Sequence, residues 1–146
     1  MTGRRWAAYV WAGPTSLLGL IAIALTAPSV RVVAGVLEAQ GPGVARLLDL
    51  LSPRLAVLAM TLGHVVIARD ATALDETRAH ERVHVRQAEC WGPGFVPAYL
   101  LASAVAWATG GDAYADNPFE RAAWAAAPVV PARGPAPGAT VSAGGT

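Results

Sequence analysis

Residues 80–84 read His-Glu-Arg-Val-His, an H-E-x-x-H pentapeptide that holds two of the chain's three histidines. On a helix, side chains four residues apart stand one turn above the other on the same face. His80 and His84 can therefore aim imidazole nitrogens at one metal ion. Glu81, beside them, is placed to take a proton from a water on that ion. These are the parts that zinc-assisted hydrolysis requires. The competing reading is an amphipathic surface helix that carries two His and a Glu by coincidence. Arg82 departs from the uncharged residues usual between the Glu and the second His of zinc peptidases. On the solvent side it leaves ligation untouched; facing the cleft it either repels the metal or holds substrate.

A hydrolytic zinc site takes three protein ligands and keeps one position open for water. Downstream of His84 there is no further His, so Asp112, Asp116 and Glu120 are the candidates. Glu120 is preferred, because Asn117-Pro118-Phe119-Glu120-Arg121-Ala122-Ala123 reads as a short helix able to return against the first. A rival explanation needs no metal: Asn117 as N-cap, Pro118 at the first helical position and Glu120 at the third make a capping-box-like start. Cys90, the single cysteine, forms no intrachain disulfide and reads as a small buried apolar residue. His64 reads as structural or cleft-lining rather than as a ligand.

The elements that must position these residues follow from the pattern around them. The motif helix is expected over about residues 71–91, capped by Asp70 or Thr72 and stopped by Gly92-Pro93, with Asp75 and Glu76 near its positive end. Upstream, Leu55 to Ala68 is rich in β-branched residues and suggests strands turning near Leu62-Gly63; a second membrane segment is the alternative, but fourteen residues are short for one. A strand leading into the motif helix would line a cleft and pair with an extended peptide. Val30 to Gln40 reads as a β-hairpin turning at Ala34-Gly35, and Val44 to Leu51 as a short amphipathic helix. Gly94 to Gly110 is apolar and only marginally long enough for a membrane helix. If it crossed a bilayer fully, Glu120 would lie on the far side from His80 and His84, so it is expected to pack within the fold or lie in the interface.

Composition points toward lipid. More than half the residues are hydrophobic and 14% are charged, too apolar for an ordinary water-soluble domain. The net charge of +1 gives no electrostatic footprint for nucleic acid. Trp6 to Ala27 is a 22-residue stretch without a charge, preceded by Arg4 and Arg5, and is read as a retained membrane anchor with a cytoplasmic N-terminus. A signal peptide is the other reading, although Pro28 disfavours cleavage after Ala27. The chain thus divides into an anchor (1–29), a catalytic-type domain (30–127) and a Pro/Gly/Ala-rich tail (128–146) expected to be disordered.

The run His80-Glu81-Arg82-Val83-His84-Val85-Arg86-Gln87, with Asn117-Pro118-Phe119-Glu120 and the alanines that follow, resembles the zincin metallopeptidases of the gluzincin branch. In its H-E-x-x-H-x-x-Q form it is similar to small bacterial membrane-associated peptidase-like proteins. The likeness covers about residues 55–127. It implies an α+β fold: an N-terminal membrane helix, a small β-hairpin sheet, the active-site helix and a second metal-binding helix. It implies Zn2+ held by His80, His84 and Glu120, with Glu81 as general base and later proton donor, and Tyr114, Tyr99 or His64 as oxyanion stabiliser. The function expected is a membrane-associated zinc metallopeptidase that hydrolyses a protein or peptide through a zinc-activated water. The alternatives are a catalytically silent zinc-binding or scaffold membrane protein, and a small integral membrane protein with a fortuitous motif.

Overall fold

A computed structural model describes residues 3–53 and 55–127. Two helices, α1 (Gly3–Trp11) and α2 (Gly13–Thr26), lead into a hairpin of β1 (Ser29–Val33) and β2 (Val36–Gln40). Helix α3 (Pro42–Leu51) precedes a second hairpin, β3 (Ala59–Leu62) and β4 (Val65–Ala68). The long helix α4 (Ala71–Trp91) follows, then a 3-10 turn (Gly92–Gly94), α5 (Phe95–Ala108) and α6 (Pro118–Ala126). The fold is α+β, with one four-stranded sheet in the order β1-β2-β4-β3.

Both hairpins turn where the sequence supplies the backbone for it. Ala34 and Gly35 have φ of 48° and 80°, the paired positive values of a type I′ turn. Gly63, with φ 64°, makes the second turn. The pairing between the hairpins is parallel, Leu37 opposite Val65 through Gln40 opposite Ala68. This leaves β3 as a sheet edge.

Strand alternation divides the core into two layers. Val65 and Ile67 of β4 face one side and pack with Ala39, Ala22 of α2, and Val44 and Leu48 of α3. Val66 and Ala68 face the other and pack with Val36 and with Ala73, Leu74 and Val85 of α4. Glu38 points to this second side and is only 1% exposed. It accepts from Arg31 at 2.9 Å, from Arg78 at 3.0 Å and from Arg82 at 3.2 Å. Burial by itself would raise its carboxyl, but the bonds from Arg78 and Arg31 outweigh this and hold it below the usual carboxylate range. The acid thereby ties α4 to the first hairpin.

The expected membrane-spanning N-terminal helix is not what forms. Gly13-Pro14 opens a new helix at α2, because proline fixes φ and is favoured in a first helical turn, and the run divides at Ala12. Fourteen residues make about 21 Å of helix, against about 30 Å of bilayer hydrocarbon. No helix of the described residues is long and apolar enough to cross a membrane. Instead α2 lies on the sheet, with Gly19 so close to Val65 that an added Cβ would stand 2.4 Å from the valine Cβ. Leu55 to Ala68 contributes strands β3 and β4. Cys90 is exposed rather than buried: it stands in the last turn of α4, past Ala88, the last buried residue of the helix. The tail, 128–146, lies outside the described residues.

Candidate metal centre

Helix α4 begins where Asp70 accepts from the Ala73 N–H at 2.8 Å and ends at Gly92, whose φ is 55°. Its buried face carries His80 (3% exposed), Glu81 (5%) and His84 (6%). Glu120 of α6 is 3% exposed. Its two oxygens straddle the imidazoles: Oε2 lies 3.2 Å from His80 Nε2 and Oε1 lies 3.3 Å from His84 Nε2. The two Nε2 atoms are 3.1 Å apart.

These separations test whether an ion fits. Ligand atoms about 2.0–2.1 Å from a tetrahedral zinc stand about 3.3 Å from one another. The two Nε2 atoms, 3.1 Å apart, stand close to that edge length, and Glu120 meets each through a different oxygen. Nitrogen and carboxylate donors of this kind are ones that divalent metals, zinc among them, accept. Among the described residues these three form a group that could hold a metal ion. Burial would raise the Glu120 carboxyl, yet hydrogen bonds from His80, His84 and Tyr99 hold it far below the usual range. The carboxylate therefore stays charged.

Of the capping box considered for Asn117 and Glu120, the N-cap half forms, while the Asn117 N–H donates to Tyr114 O at 3.1 Å rather than to Glu120. Asn117 Oδ1 accepts from the Phe119 N–H at 2.9 Å, while its amide donates to Tyr99 O at 3.1 Å and to Ser103 Oγ at 2.8 Å. Asn117 thus fastens the start of α6 to α5 and sets where Glu120 falls. Glu120 itself points at the histidines. Asp112 and Asp116 are used in their own loop: Asp112 Oδ1 accepts from the Tyr114 and Ala115 N–H groups and Asp116 Oδ2 from the Asp112 N–H.

Gln87 is a contributor that helical spacing alone did not assign a role. Its Oε1 lies 2.8 Å from His84 Nδ1, and its Nε2 donates to Phe119 O at 3.1 Å. With a metal bound in place of the His84 Nε2 bond to Glu120, donation from Nδ1 to Gln87 would leave the Nε2 lone pair that ligation requires. The same amide bridges α4 to the helix carrying Glu120. Trp124 lies against His80, ring centroids 4.8 Å apart, and the buried His80 Nδ1 has no hydrogen-bond partner among the described residues.

Glu81 is held from the sheet. Thr61, on the α4-facing side of β3, donates to Glu81 Oε2 at 2.6 Å. Burial pushes the Glu81 carboxyl up, and His84, the Thr61 hydroxyl and His80 offset this only in part. Tyr99 donates to Glu120 Oε1 at 2.7 Å; its phenol is pushed up by burial and by that carboxylate. Tyr114 lines the same cavity. His64 does not. It stacks on Tyr9 at 4.1 Å and meets Glu89 at 3.0 Å, away from the three candidate ligands. Arg82 reaches away too, donating to Val33 O at 2.6 Å and to Glu38 Oε1 at 3.2 Å.

A cavity of about 500 Å³ opens beside the centre. His80, Glu81, His84 and Glu120 line it together with all four residues of edge strand β3 and an apolar set that includes Leu51, Leu55, Phe95 and Leu100. No protein-family model matches the chain, and neither a curated protein nor a solved structure shows significant similarity to it.

Proposed function

We propose that this chain is a zinc metallopeptidase, and the observation that carries the reading is the buried His80–His84–Glu120 triangle with Glu81 beside it at the foot of an open cavity. His80, His84 and Glu120 hold the ion, which when bound supplies a Lewis acid that polarises a carbonyl and brings the pKa of water to about 7. Glu81 acts as the base. Its carboxyl is raised by burial and steadied at Oε2 by Thr61, the direction that suits a group that must accept a proton and then return it. It takes the proton from water as the new carbon–oxygen bond forms, then delivers it to the amide nitrogen as the carbon–nitrogen bond breaks. Strand β3 presents a free edge along the cavity, suited to pairing with an extended peptide. The apolar walls favour hydrophobic side chains on either side of the bond cut. Tyr99 and Tyr114 are the two phenols that line the cavity and could stabilise an oxyanion.

The test is a mixed peptide library incubated with the zinc-loaded protein and read by mass spectrometry for new termini. Wild type is expected to produce them, and Glu81→Gln, still carrying zinc, is expected to produce none. Zinc-loaded wild type that cuts nothing across the library overturns the peptidase reading in favour of a silent zinc-binding protein.

A further inference from the structure

Helices α2 and α5 are packed in the reverse sense to helices of a water-soluble protein. The inward stripe of α2 is Thr15, Gly19 and Ala22, while Leu17, Leu18, Leu20, Ile21 and Leu25 face out at 47–77% exposure. In α5, Phe95, Tyr99, Ala102, Ser103 and Ala106 lie on the inner side, with Leu100, Leu101, Val105 and Trp107 outside at 54–73% exposure. At about 100° per residue the outer apolar arc of each helix spans about 160°. A water-soluble helix turns an apolar stripe of about 100° inward and its polar face out. In α2 the residues at the helix contact are small and the large ones lie outside, the arrangement of proteins in lipid; α5 shares the wide outer apolar arc.

Helix α2 packs on the 3-10 turn from which α5 continues, and Trp11, at the end of α1, sits close against Gly92 of that turn. Leu51, Leu55 and Leu100 line the metal-site cavity and are themselves 45–61% exposed, so its lip is apolar as well. Neither helix carries a charged residue, which makes this surface complementary to hydrocarbon. The nineteen residues that follow Ala127 in the sequence hold three Val as their only large apolar side chains, too few to cover two helices. A second copy would meet one side of each helix and leave the rest of such wide arcs in water.

We infer that α2 and α5 seat the protein in one leaflet of a lipid bilayer without crossing it, with the lip of the metal-site cavity at the hydrocarbon surface. Resting on the peptidase reading, this makes the substrate an apolar peptide segment lying in or on the membrane, which enters the cavity without passing through water.

The experiment is flotation of the full chain, diluted out of detergent, with phosphatidylcholine vesicles at high salt. Neutral lipid and high salt remove any contribution from the arginines. Tryptophan quenching by brominated lipid reports depth. Wild type is expected to float and to be quenched. Leu18→Glu and Leu101→Glu, both outward and away from core and site, are each expected to cut the vesicle partition coefficient at least tenfold. Their zinc content is expected to match wild type, which shows that they fold and separates this inference from the zinc assignment. Wild-type protein that stays in solution without vesicles, as monomer or as a dimer that Leu101→Glu dissociates, overturns the inference. So does flotation unchanged in both variants.

Discussion

Replacing Gln87 by alanine removes one side chain that serves two helices, and its effect can be worked from the contacts. The acceptor on His84 Nδ1, at 2.8 Å, is lost, so nothing holds the imidazole as the tautomer with a free Nε2 lone pair. The bond to Phe119 O, at 3.1 Å, is lost as well, and with it a direct tie to the helix that carries Glu120. Loss of such a supporting partner typically costs about 10- to 100-fold in metal affinity, or about 1.4–2.7 kcal/mol. The metal-free protein loses two partly buried hydrogen bonds, about 1–3 kcal/mol. Gln87→Glu separates the roles. A carboxylate still accepts from His84 Nδ1, more strongly than an amide does, but it cannot donate to Phe119 O. Zinc affinity is expected to stay within a few-fold of wild type while the metal-free protein melts lower. Competition with a chromophoric chelator measures the first quantity, and thermal unfolding with and without zinc the second. Gln87→Ala protein that binds zinc within twofold of wild type would refute the reasoning.

Three further outcomes are expected. Glu38→Gln leaves Arg31, Arg78 and Arg82 without their buried acid and costs about 2–3 kcal/mol by chemical denaturation, less than a fully buried pair because the arginines reach solvent. Since the folded-state pKa of Glu38 is lowered, its contribution is complete above the ordinary glutamate range and lost as pH falls through the folded-state value; the wild-type–variant difference should therefore shrink in acid. Gly19→Ala, a change that stabilises an ordinary helix by about 1 kcal/mol, should destabilise this protein by about 1–3 kcal/mol, because the new Cβ would stand 2.4 Å from the Val65 Cβ. Thr61→Val takes the hydroxyl from Glu81 Oε2, and a loss of about 1–3 kcal/mol in melting with zinc content unchanged would place Thr61 on the base rather than on the ion.

The parts of the fold written locally were legible in the sequence. Asp70 and Gly92-Pro93 bound α4 as expected, Ala34-Gly35 turns the first hairpin, and the β-branched run before Asp70 forms strands. What escaped depends on contacts between distant segments. Nothing near Glu38 announces that three arginines from β1 and α4 will converge on it, and the parallel pairing of β2 with β4 leaves no periodic trace. The N-terminal helix misled because a charge-free run of 22 residues has the length of a span, while Gly13-Pro14 and the small-residue stripe through Gly19 divide it and lay it on the sheet. At the centre, His80, His84 and Glu120 do come together. Both faces of the Asn117–Glu120 signal were present in the residues: Asn117 caps the helix, and Glu120 is left over for the histidines. The Gln at the end of H-E-x-x-H-x-x-Q had a readable signal, since it stands three residues past His84 on the same face.

The central claim is that His80, His84 and Glu120 bind one zinc ion. Metal analysis of the purified protein, wild type beside His84→Ala and Glu120→Ala, tests it most directly. The account predicts about one zinc per chain in wild type and its loss in both variants. Zinc retained in Glu120→Ala, or none in wild type after loading, would contradict it.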